Sequence, residues 1–116
     1  MAVTKNQSAE LVIKVFEAIA EHQPVGVSKL SQLMGQTKSS LQRALVTLAQ
    51  CKWIRIASGK PTRWELSERI HMIAYRGRSH SDLWNRAQAP LDALRQTTGE
   101  TVVLMVPEDQ GFVIIA

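Results

Sequence analysis

The stretch from residue 28 to residue 51, SKLSQLMGQTKSSLQRALVTLAQC, constrains this chain more than any other. Val27, Leu30, Leu33 and Met34 repeat at helical spacing, and Ser28 is placed to cap that helix through its hydroxyl. Gly35 falls where a left-handed residue ends a helix at low cost. Thr37 can then cap a second helix. There Leu41, Ala44, Leu45 and Leu48 lie on one side at the i, i+3, i+4, i+7 positions. Lys38, Ser39, Gln42 and Arg43 occupy another side over the first turn and a half. The pattern predicts two short helices joined by a tight turn, the second with an apolar back and a polar, partly basic front.

Such a helix suits the major groove of DNA. Recognition helices of helix-turn-helix proteins present their N-terminal residues to base edges while the preceding helix crosses the backbone. Arg43 has the fork geometry for guanine O6 and N7, and Gln42 can pair with adenine N6 and N7. Lys38, Ser39 and Ser40 are candidate phosphate ligands near the positive end of the helix dipole. Thr47 is the last candidate contact on this helix. An ordinary helical hairpin with a solvated polar face has the same pattern, so this stretch alone leaves both readings open. A salt bridge from Arg43 to a neighbouring element is the competing role for that residue.

The order of elements narrows the choice. Residues 8–22 carry a broad apolar stripe of Leu11, Val12, Val15, Phe16 and Ile19, with Glu10, Lys14, Glu17 and Glu21 outward. Phe16 is expected in the core. The segment 23–26 (QPVG) breaks this first helix. After the helix pair the period changes: residues 53–57 are strand formers, 58–61 (SGKP) are turn chemistry, and 62–66 form a second short strand. Helix, helix, recognition helix and hairpin is the order of a winged helix. Lys60 and Arg63 near the hairpin tip suit phosphate or minor-groove contact, whereas Trp53 and Trp64 are expected to pack the hairpin on the helices.

Residues 68–76 read as another helix and 77–81 (GRSHS) as a break between domains. A helix resumes over 82–98, where Pro90 should kink or restart it. Two apolar strands follow at 101–106 and 112–115, turned by 107–111. An apolar hairpin with open edges is marginal alone and invites pairing. The sequence is therefore expected to stop inside a second domain, or its strands to pair with another copy; a well-behaved monomer with protected strands would contradict this. The division expected is 1–67 for the winged helix, 68–81 for a linker helix and hinge, and 82–116 for the start of the second domain.

Charge follows the same division. Residues 1–78 carry twelve Lys and Arg against five Asp and Glu, and residues 79–116 carry two against five. The basic part is where a polyanion would bind. With 116 residues, one domain and a fragment of a second are accommodated. The N-terminus has no apolar signal core and no run approaches a membrane span, which suits the cytoplasm. Cys51 is the single cysteine, excluding an internal disulfide and a cysteine zinc cluster, and is expected as a small buried hydrophobe.

In this order and spacing the residues resemble the IclR family of bacterial transcription regulators, over nearly the whole chain. The similarity rests on VSKLSQLMG, on TKSSLQRALVTL, on the aromatic-x-Leu unit Trp64-Glu65-Leu66 closing the wing, and on PLDALRQTTGETVVLMV. The resemblance implies a mainly α fold with a small β wing: a winged helix-turn-helix, a linker helix, and the beginning of a GAF-like α/β sensing domain. It implies a homodimer or tetramer on a palindromic operator of double-stranded DNA, acting as repressor or activator, with no cofactor. Lys38, Ser39, Ser40, Gln42 and Arg43 would face DNA, beside a wing carrying Lys60 and Arg63. A small organic acid or similar metabolite would be the effector, bound mostly beyond residue 116. The chain departs from the family at Lys52 and Ser67, where Gly is usual. A non-Gly residue in a left-handed cap costs about 1 kcal/mol, so a different turn geometry is expected there.

Two other function classes compete with this reading. For an enzyme, His22, His71 and His80 show no metal spacing, and no G-x-S-x-G, P-loop or dinucleotide fingerprint is present. A winged helix used for protein contact is the stronger alternative; such a module ordinarily lacks a basic recognition face.

Overall fold

The computed structural model describes residues 2–78 and 81–115. The chain falls into two compact units, the first ending at His71 and the second starting at Met72.

The first unit opens with α1 (Gln7–His22), α2 (Val27–Met34) and α3 (Lys38–Gln50), followed by β1 (Ile54–Ile56) and β2 (Trp64–Leu66). The stripes predicted for α1 and α3 meet: Val15 and Ile19 pack with Leu30, Leu41, Ala44, Leu45 and Leu48 in one buried cluster, joined by Val25 and Ile54. Phe16 meets Trp53 edge to face, with ring centroids 5.5 Å apart. Trp53 and Trp64 both pack half-buried against this core, as expected of hairpin anchors.

The wing is a two-stranded antiparallel hairpin with Ile54 opposite Leu66, Arg55 opposite Glu65 and Ile56 opposite Trp64. It is shorter than expected, because Trp53 belongs to the α3 terminus and Ala57 to the loop. Its outer edge is covered. Val25 and Trp64 exchange both backbone hydrogen bonds, at 3.0 and 2.7 Å, and the Gln23 side-chain oxygen accepts from the Leu66 N–H at 2.9 Å. The loop between α1 and α2 thus satisfies an edge that would otherwise be open.

That loop corrects the predicted cap of α2. Gly26, not Ser28, holds the N-cap position, and it provides no side-chain bond. A Cβ on Gly26 would lie 3.3 Å from the Thr62 carbonyl oxygen, so close approach of the wing backbone takes precedence over a capping hydroxyl. Leu33 is also exposed. It falls on the far side of Leu30 from Val27 and Met34, outside the narrow face that an eight-residue helix buries.

The end of α3 is a Schellman motif: Lys52 N–H donates to Ala49 O at 3.1 Å and Trp53 N–H to Leu48 O at 3.0 Å. Lys52 has φ 69°, so the left-handed turn is kept without glycine. Ser67 donates its hydroxyl to the Lys52 carbonyl oxygen at 2.5 Å. The two departures from the family pattern are therefore in contact. Cys51 is exposed rather than buried, because it follows Leu48, the last buried position of the helix.

α4 (Arg69–Arg78) runs through Gly77 and does not end there; one glycine costs about 1 kcal/mol, too little to end a helix by itself. Residues 79–80 of the expected break lie outside the described residues. In the second unit, α5 (Asp82–Thr98) continues through Pro90. Pro90 and Arg86 are both exposed, so water can solvate the Arg86 carbonyl that the proline leaves without its intrahelical partner. The strands β3 (Met105–Glu108) and β4 (Gly111–Ile114) pair antiparallel. β3 begins at Met105 rather than Thr101 and runs on through Pro107 and Glu108, and the turn shrinks to Asp109 and Gln110.

Candidate nucleic-acid interface

The front of α3 is fixed at both ends. At the start, the Thr37 hydroxyl accepts from the Ser40 N–H at 3.2 Å and donates to Ser40 Oγ at 3.0 Å. Gly35, at φ 63°, closes α2 through its N–H to Ser31 O, and Ser31 Oγ donates to Gln36 O at 2.6 Å. The turn is thus held by its own polar groups. With Leu41, Ala44, Leu45 and Leu48 buried, the 100° step of the helix turns Ser39, Gln42, Arg43, Val46 and Gln50 outward, and all five are exposed.

The predicted residues divide by position. Lys38, Ser39, Gln42, Arg43 and Thr47 are exposed along α3. Ser40 is half-buried and, with Arg43 and Thr47, lines a shallow groove against Ser8, Leu11 and Val12 of α1. The Thr47 hydroxyl donates to the Arg43 carbonyl oxygen at 2.9 Å, so its donor is used by its own helix. On the wing, Lys60 is exposed at the tip. Arg63 is half-buried at the base, with Cγ 4.0 Å from the Cβ position of Gly26 and Nη2 3.9 Å from that of Gly59. Its buried Nε has no hydrogen-bond partner among the described residues.

The cations of the first unit differ in how they are engaged. Lys5 and Lys14 both bind Glu10 at 2.8 Å, and Lys14 first, then Lys5, holds the Glu10 carboxyl down at about 2. Arg55 binds Glu65 at 3.2 Å and Glu68 at 2.7 Å. Its pKa is raised, first by Glu68 and then by Glu65. Glu68 is lowered by its own backbone N–H and then by Arg55. Arg69 lies over the Trp53 ring, 5.7 Å from its centroid. Among the described residues, no ion pair engages Lys38, Arg43, Lys60 or Arg63. Lys29 on α2 is likewise exposed without such a partner. It is absent from the sequence-based candidates, as are Val46 and Gln50. Gln50 shows itself by its spacing from Arg43 and Val46, whereas Lys29 carries no local signal beyond its charge.

Three helices with the third presented to solvent, and a hairpin edge-bonded to the loop after the first, define the winged helix-turn-helix class. Residues 8–56 match the IclR helix-turn-helix domain. It is 26% identical to the HTH-type transcriptional regulator KdgR of Escherichia coli (strain K12) over 111 residues, covering 93% of this chain and 42% of that protein. Pseudomonas aeruginosa HmgR shares the fold with a TM-score of 0.70 at 24% identity, over 96% of this chain and 47% of that one. The Thermotoga maritima IclR structure shares it with a TM-score of 0.66 at 17% identity, over 92% and 43%. The chain spans less than half the length of the curated relatives it matches. Among the described residues no helix is long and apolar enough to cross a membrane.

Proposed function

We propose that this chain is the DNA-reading part of a transcription regulator, with α3 in the major groove and the wing against the flanking backbone. The observation that carries this reading is the outward face of α3, where Gln42 and Arg43 stand exposed and the Arg43 guanidinium has no ion-pair partner among the described residues. A structural arginine would be engaged by a neighbouring carboxylate, as Arg55 is. Gln42 and Arg43 read base edges. Lys38, Ser39 and Lys60 contact phosphates, while Ser40, Thr47 and Arg63 border the interface. Residues 1–67 act as the DNA-binding domain, 68–81 as a linker, and 82–116 as the start of an effector domain. The regulator works in the cytoplasm as a homodimer or tetramer on a palindromic operator, and a metabolite bound by the effector domain sets its occupancy. Similarity to named transcriptional regulators supports this reading.

The test is selection of bound sequences from a random pool of short duplexes in moderate salt. The expected result is an enriched inverted repeat with half-sites about one helical turn (~10 bp) apart. Binding of the selected duplex should weaken with salt at a log–log slope of about −0.9 per phosphate neutralised. Absence of retention even at low salt contradicts the proposal and leaves a protein-contact role for the wing and helix.

A further inference from the structure

Val46 sits among polar residues on the outward side of α3, with Gln42 and Arg43 one turn before it and Gln50 one turn after. It is 50% exposed. Every other apolar residue of this helix is wholly or partly buried: Leu41, Ala44, Leu45 and Leu48 are in the core and Ala49 is packed against it. A solitary valine in a polar face is too small to be a protein-docking patch. It is also a weaker helix former than the alanine or lysine that would serve a merely solvated position.

We propose that Val46 is a specificity-determining residue that reads a thymine through its C5-methyl group. This rests on the proposed major-groove docking of α3 and deepens it. The thymine methyl is the apolar feature that natural base pairs display in the major groove. A β-branched side chain in a helix is largely confined to one χ1 rotamer, so Val46 holds its methyls in place with little ordering to lose on contact. From Arg43 to Val46 the helix advances about 4.5 Å, against about 3.4 Å per base step along one DNA strand. The thymine therefore lies one or two base pairs from the pair read by Arg43.

The experiment uses the whole 116-residue chain and the duplex it enriches from the random pool. Each thymine of the half-site is replaced in turn by deoxyuridine, which removes the methyl and leaves every hydrogen bond. The expected result is a loss of about fourfold in affinity at one thymine, the size of one buried methyl group. In Val46→Ala that loss disappears, while discrimination at the Arg43-read position stays. The exposed position and the gain in helix propensity keep Val46→Ala folded. Equal thymine preference in the variant overturns the assignment, as does a half-site indifferent to every replacement. Failure to enrich any duplex instead overturns the docking of α3 itself, and so separates the two.

Discussion

Thr37 and Ser81 start α3 and α5 in the same way, each hydroxyl accepting a backbone N–H three residues on at 3.2 Å. Both helices end in a left-handed residue nearby, Lys52 after α3 and Gly99 at α5. Their burial is different. α3 buries Leu41, Ala44, Leu45 and Leu48, whereas α5 buries no residue fully. The hairpins repeat the contrast. Ile54 of the wing is buried, while Phe112 and Ile114 of the second hairpin are 70% and 62% exposed. Local chemistry sets where a helix begins and ends, but packing sets how firmly it is held. The first unit has the core needed to present α3 at a defined angle to a ligand.

The largest effect expected from this contrast is on stability. Leu45→Ala should destabilise the first unit by about 2–5 kcal/mol, read by urea unfolding of the chain. Leu94→Ala, on the exposed side of α5, should change stability by no more than about 0.5 kcal/mol. Equal losses would remove the distinction between the units.

The paired caps refine the comparison. Thr37→Ala should cost the first unit about 1 kcal/mol. Ser81→Ala should lower far-ultraviolet helicity by loosening the start of α5, where the Ser81 hydroxyl accepts from the Trp84 N–H. Unchanged helicity in Ser81→Ala would contradict the cap.

The smallest effect concerns pH. Glu10 titrates near 4.5 in an open chain and about 2 in the fold. A depressed folded-state value means that its pairing with Lys14 and Lys5 stabilises fully above pH 4.5 and is lost as pH falls toward 2. Stability should therefore drop more steeply across that interval in the native chain than in Glu10→Gln. The difference should shrink in high salt, because the pairs are at the surface.

Much of this architecture is legible in the sequence where the signal is local. Thr37, Gly35 and the apolar rows of α1 and α3 act within a few residues, and the ends of α5 follow from Ser81 and Gly99. Features set across the chain are not. Gly26 caps α2 because the wing passes over it, and Val25 becomes a sheet partner only once β2 lies beside it. Leu33 and Cys51 are apolar but fall just outside the buried faces, which periodicity alone cannot distinguish in short helices. Pro90 carries a breaker signal that an exposed helix tolerates. At the candidate interface, charge and hydrogen-bonding type pick out Gln42 and Arg43, whereas Val46 is found only when every other apolar residue of α3 is accounted for in the core.

Whether the outward face of α3 reads bases is decided by titrating Arg43→Ala against both the selected duplex and a scrambled one. Arg43→Ala should lose about 1–3 kcal/mol on the selected duplex with little change on the scrambled one, whereas Lys60→Ala should weaken both alike. Uniform weakening of both duplexes by Arg43→Ala would contradict base reading and make Arg43 a phosphate clamp.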